Sequence, residues 1–223
     1  MLNHSWDITP RQAIALQKEL AGKVRAVPLS GRVNTIAGAD CAFVGKEKII
    51  AVAVLCDART LEVIAHAEEV RPLTFPYVPG LLSFREAPAV IAAVQKLSRE
   101  AGRPDLLMID GHGRAHPRGF GIACHVGLWL DVPTIGVAKS RLCGEHREPK
   151  PRRGSRAALR LDGKVIGSFV RTRDGVKGVY VSVGHRITLD AAVRWTIRCA
   201  TAARLPEPSR QAHQYVTRLK ANL

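Results

Sequence analysis

What this chain lacks narrows its class before any motif is read. Its five cysteines, Cys41, Cys56, Cys124, Cys143 and Cys199, are odd in number, widely spaced and without a C-x-x-C pair. Neither a disulfide framework nor a zinc ribbon is suggested, and buried thiols in a cytoplasmic protein are expected. The first ten residues hold His4, Trp6 and Asp7 rather than a basic segment followed by an apolar one, so no secretory signal is visible. No apolar run approaches the roughly 20 residues needed to span a bilayer. Internal repeats are missing, and no heptad or apolar strip calls for a second copy, so a soluble monomer without membrane contact is expected.

Acidic residues are also scarce. There are 19 Asp plus Glu against 34 Lys plus Arg in 223 residues, a net charge of +15. A basic surface binds phosphates by releasing their counterions, which makes nucleic acid the simplest partner; a generically basic protein is the plainer alternative. With 46% apolar residues, the length suits one globular domain spanning 1–223, with an exposed basic loop around 145–156.

Local patterns suggest an α/β chain with a mixed sheet. Thr9 and Pro10 open a helix that runs to about Val24. Thr35 to Phe43, Ile49 to Cys56 and Val63 to Val70 read as an antiparallel meander. A Pro- and Gly-rich loop, 72–80, leads to a helix expected from Pro88 to Arg99. Leu106 to Asp110 is a fully apolar strand, Gly121 to Leu130 a buried helix and Thr134 to Ala138 another strand. Lys164 to Arg171 and Gly178 to Val183 suggest a hairpin, Thr188 caps a helix to about Ala203, and a short helix follows Pro208.

Two apolar strands carry carboxylates: Asp40 in the first, and Asp110 at the end of Leu106-Leu107-Met108-Ile109-Asp110. An ionised Asp within an apolar strand is costly unless cations or donors compensate it, and two converging suit Mg²⁺ or Mn²⁺. Either one alone reads equally as a loop cap. Glu86 would complete an acidic cluster, or else begin a helix paired with Arg85.

His112 and His116 have i, i+4 spacing, but Gly111, Gly113 and Pro117 oppose a helix and hence a zinc site. The loop reads instead as lying along a nucleic-acid strand, with His112, His116, Arg114 and Arg118 on phosphates, or as a plain connector. Lys139 follows a strand and would either neutralise a phosphate or be a solvated end. His213 reads by itself as a surface histidine. Tyr77, between Pro76 and Pro79, is either a wedge for a base stack or folded onto the core.

The ordered set Ala37-Gly38-Ala39-Asp40, Pro76-Tyr77-Val78-Pro79-Gly80, Phe84-Arg85-Glu86, Asp110-Gly111-His112-Gly113, His116-Pro117, Gly136-Val137-Ala138-Lys139, Gly184-His185-Arg186 and Arg204-Leu205-Pro206-Glu207-Pro208 resembles the endonuclease V family over nearly the whole chain. The resemblance implies a ribonuclease H-like fold and Mg²⁺-dependent hydrolysis of the second phosphodiester 3′ to a deoxyinosine, leaving 3′-hydroxyl and 5′-phosphate ends. It implies Asp40 and Asp110 as metal ligands, Glu86 and His213 completing the catalytic cluster, and Lys139 near the phosphates. It further implies Tyr77 as the wedge, and Pro79, Gly80, Leu82, Gly111, His116, Gly121, Ile122 and Leu142 around the substrate. Val78 stands where isoleucine is common. Rival readings are a ribonuclease H-like nuclease acting on inosine in RNA or on branched DNA, and a binding module without catalysis.

Overall fold

The computed structural model describes Leu2 and residues 4–222. Its opening helix, α1 (Pro10–Ala21), is capped by Thr9, whose hydroxyl oxygen accepts from the Gln12 amide while the Gln12 side chain reaches back. The meander follows as β1 (Thr35–Val44), β2 (Lys48–Asp57) and β3 (Val63–Pro72). Next come α2 (Leu82–Ala101), β4 (Leu106–Asp110), α3 (Ile122–Leu130) and β5 (Thr134–Ala138). The chain ends with β6 (Arg156–Leu161), β7 (Lys164–Val170), β8 (Val179–His185), α4 (Leu189–Cys199) and α5 (Glu207–Ala221).

Among the described residues, eight strands form one mixed sheet in the order β3-β2-β1-β4-β5-β8-β7-β6. Its centre, β1, β4 and β5, is parallel, and the remaining pairings are antiparallel. Side chains alternate across β1 and β4. Ala37, Ala39, Leu107 and Ile109 pack with Ala87, Val90 and Val94 of α2, while Ile36, Leu106 and Met108 join a second cluster on the opposite face. There α5 lies over the meander, with Ala212 and Val216 against Ile50, Val52 and Val54. A Cβ at Gly38 would overlap the Pro208 carbonyl, so this glycine is what allows α5 to lie directly on β1.

Three local expectations are corrected. Helix α2 begins at Leu82 and carries Pro88 inside it; burial of Phe84 and Ala87 overrides the rule that proline opens a helix. The stretch after the basic loop is a strand, β6, paired antiparallel with β7. Its Asp162-Gly163 connection, both residues at positive φ, is a tight hairpin turn. Helix α4 stops at Cys199, short of Ala203, and α5 runs for 15 residues. Of the five free cysteines, Cys56, Cys124 and Cys199 are buried, whereas Cys41 and Cys143 are partly exposed.

Candidate active site

Sheet alternation delivers the acids. Ala39 of β1 pairs with Ile109 of β4 in parallel register, so the next residues, Asp40 and Asp110, emerge side by side on the α5 face. Asp110 pairs with Val137 of β5, and Lys139 two residues on comes to the same edge. Its Nζ donates to Asp110 Oδ2 at 2.6 Å. From above, α5 supplies His213, whose Nδ1 donates to Asp40 Oδ2 at 2.7 Å. One ligand atom each from Asp40, Asp110 and His213 fall within 4.8 Å of one another, which makes this trio a candidate metal-binding group.

The electrostatics fit a cation. Burial raises the Asp40 carboxyl above its ordinary range, the nearby Asp110 charge raises it further, and bonds from His213 and the Cys41 amide partly oppose both. Glu86 is only 8% exposed and is pushed to about 7, first by burial and then by the charge of Asp40. It comes from α2 and stays outside the Asp40, Asp110 and His213 trio, close enough for its charge to act on Asp40, Asp110 and the Cys41 thiol; burial and these carboxylates hold that thiol well above its usual range. Arg85 is not its partner: the guanidinium donates to the Phe75 carbonyl at 2.7 Å and lies over the Phe43 ring.

Beside the acids opens a cavity of about 400 Å³. Tyr77, Pro79, Gly80, Leu82, Gly111, His116, Gly121, Ile122 and Leu142 all line it, together with Asp110 and Lys139. Tyr77 is 71% exposed, so it stands off the core at the rim. Gly121 lets the 111–121 loop close on itself, since a Cβ there would overlap the His112 carbonyl. His116 is almost fully buried. Its Nε2 donates to the Gly80 carbonyl at 3.0 Å and its Nδ1 accepts from the Arg118 amide at 3.1 Å. Burial drives this ring to about 4, so it is neutral.

The expected phosphate contacts of Arg114 and Arg118 are not what the fold offers. Arg114 donates to the Val24 carbonyl and Arg118 to that of Gly80. Sequence reasoning also missed Gln17 and Ser83, both of which line the cavity. Gln17 left a signal, a polar residue between Ala13 and Leu20 on the buried stripe of α1. A roomier cleft beside β6, about 1050 Å³, holds Arg147, Arg156 and Arg160 against Glu145, Glu148 and Asp162, so its charges balance.

A family model described as Endonuclease V matches residues 18–214. The chain belongs to the endonuclease V family. An endonuclease V from Gloeobacter violaceus is 48% identical over 216 residues, covering 95% of this chain and 87% of that one. The crystal structure of an endonuclease V from Streptomyces avermitilis superposes with a TM-score of 0.90 at 39% identity, over 99% of this chain and 97% of that chain. An endonuclease V from Ciona intestinalis, solved with a 24mer DNA containing an inosine followed by a ribo-adenosine, shares the fold at a TM-score of 0.83 and 23% identity, over 95% and 98% of the two chains. The mixed sheet and its helices are thus the α/β, ribonuclease H-like fold of endonuclease V, a nuclease family. Among the described residues, no helix is long and apolar enough to cross a membrane.

Proposed function

We propose that this chain is a Mg²⁺-dependent deoxyinosine 3′ endonuclease of DNA repair. In this reading it cuts the second phosphodiester 3′ to the lesion and leaves 3′-hydroxyl and 5′-phosphate ends. The observation that carries the proposal is the joining of a carboxylate pair to a cavity bounded by a Gly-rich wall and an exposed aromatic tip. A base turned out of its stack needs such a recess next to the chemistry, and inosine pairs poorly enough to make that turning cheap.

Asp40, Asp110 and His213 fit a divalent cation, since two largely buried carboxylates repel unless positive charge is added. When bound, Mg²⁺, with Mn²⁺ as a substitute, supplies charge that polarises the phosphate and stabilises the departing 3′-oxygen. Lys139, held at Asp110, faces the same space and neutralises phosphate charge. Glu86, poised near 7, suits a general base that orients and deprotonates the attacking water. His213 donates Nδ1–H to Asp40 and so holds that carboxylate in place for the cation. Tyr77 fills the gap in the stack, and Pro79, Gly80, Leu82, Gly111, His116, Gly121, Ile122 and Leu142 enclose the base. The reading is of a cytoplasmic enzyme working as a monomer on inosine-containing nucleic acid, and five free thiols suit a reducing compartment.

Incubating a 5′-labelled inosine oligonucleotide with the protein in Mg²⁺ or in EDTA tests this directly. A cut in Mg²⁺ only, and none in the inosine-free strand, is expected. Equal cutting of both strands would point to a nuclease that does not read the base.

A further inference from the structure

The Gly80 carbonyl oxygen accepts from three side chains at once: Gln17 Nε2 at 3.1 Å, His116 Nε2 at 3.0 Å and Arg118 Nη2 at 2.6 Å. Gln17 is itself fully used. Its second hydrogen-bonding direction reaches the Phe120 carbonyl at 2.9 Å, and its Oε1 accepts from Arg118 Nε at 2.6 Å. A completely buried amide on the apolar face of α1 is costly unless satisfied. Here it is satisfied only while the Gly80 carbonyl keeps its place. Gly80 sits at φ +78, and a Cβ there would fall 2.7 Å from the Arg118 guanidinium, so the clamp closes onto a backbone that glycine alone adopts freely.

Three residues before Gly80 stands the exposed Tyr77. The other end of its loop is pinned as well, by Arg85 on the Phe75 carbonyl at 2.7 Å, with Val78 packed near Phe84. The far wall of the cavity, the 111–121 loop that carries His116 and Arg118, also has backbone bonds of its own, the Gly121 amide on the Gly113 carbonyl and the Ala123 amide on that of His112. Releasing Gly80 therefore loosens the tip while these backbone bonds still hold the base of that wall.

We infer that Gln17 and Arg118 are positioning residues that stake the Tyr77 tip, so that it enters a base stack as a rigid wedge. The inference rests on the function proposed above and specifies which step these two side chains serve, the opening of a duplex. Forcing a side chain between stacked bases costs unstacking energy, and a tip free to fold back would yield instead of the stack. Single-stranded substrate needs no such opening.

Hydrogen exchange of the protein alone reads the clamp without any substrate. Gln17→Leu is expected to speed exchange across residues 75–81 while β4 stays protected; unchanged exchange at the tip would overturn the inference. Cleavage reads the consequence. Gln17→Leu should lower kcat/KM on duplex inosine DNA about tenfold more than on the same single strand, a loss typical of a misplaced positioning element. Tyr77→Ala should show the same bias, and the double variant should be no worse than the poorer single one, because both act through one tip. Equal losses on the two substrates, or multiplied losses in the double variant, would overturn it. Should Gln17→Leu not fold, Arg118→Met tests the same clamp with the same expectations. A native protein that cuts neither inosine substrate would refute the proposed function, while the exchange measurement still decides the clamp.

Discussion

His213 donates from Nδ1 to Oδ2 of Asp40 at 2.7 Å, joining residues 173 positions apart. The bond lowers the Asp40 carboxyl against burial and the charge of Asp110. Without it the carboxylate is held less firmly and is harder to ionise. His213→Ala should therefore raise the Mg²⁺ concentration for half-maximal cleavage about 10- to 100-fold, the usual cost of losing a partner that orients a ligand. The imidazole is half exposed, so the melting temperature should hardly move. A Mg²⁺ titration of both proteins checks this, and an unchanged midpoint would remove His213 from the metal group.

Gly38 decides whether α5 can carry that histidine to the sheet. A methyl group there overlaps the Pro208 carbonyl, and backbone has no side-chain rotamer to escape by. Gly38→Ala should destabilise by about 1–3 kcal/mol and also raise the Mg²⁺ concentration needed for cleavage, because α5 must lift and take His213 with it. Urea unfolding gives the first number. Wild-type stability in the variant would contradict the packing described.

Glu86 gives a pH signature. Its carboxyl titrates near 4.5 when unperturbed and at about 7 in the fold. Between those values the folded chain keeps a proton that the unfolded chain has released, so stability falls as pH rises from 4.5 to 7 and then levels. Glu86→Gln removes the penalty. In EDTA it should stabilise the protein at pH 8 by up to about 3 kcal/mol, since each pH unit separating the folded and unfolded titrations is worth about 1.4 kcal/mol, and it should have no such effect near pH 4. Melting curves across this range decide it, and a variant less stable at pH 8 would contradict the sign.

Tyr77 should separate function from folding. Because most of its ring is in solvent, Tyr77→Ala should change stability by less than about 0.5 kcal/mol. Binding to duplex DNA carrying inosine should nevertheless fall, as measured by anisotropy. A large drop in stability would mean that the ring packs on the core after all.

The two acids were legible because apolar runs ending in Asp carry a cost that needs compensation, and the register β1 to β4 converts that cost into adjacency. Meander and buried strands followed from equally local patterns, whereas Tyr77 read equally as exposed or folded onto the core, and only the fold shows it in solvent. Strand β6 was not legible, since Arg156 to Leu161 contains no β-branched residue and its strand character comes from pairing with β7. The true start of α2 was hidden because the proline rule is local and the burial of Phe84 is not. Arg118 shows the same limit: charge suggests phosphate, but only the tertiary fold brings the Gly80 carbonyl and Gln17 within its reach. The resemblance supplied the positions expected around the substrate, and the fold gathers them around one recess with Asp110 and Lys139.

The recess lies beside Asp110, which neighbours Asp40 across the sheet, so a base held there should fix where the strand is cut. Moving a single deoxyinosine stepwise along a 5′-labelled duplex, and sizing the products made in Mg²⁺ by the native protein and by Asp110→Asn, measures that spacing. One cut that keeps step with the lesion, always at the second phosphodiester on its 3′ side, is expected, with no product from the variant. A cut that stays put as the inosine moves, or full activity in Asp110→Asn, would contradict it.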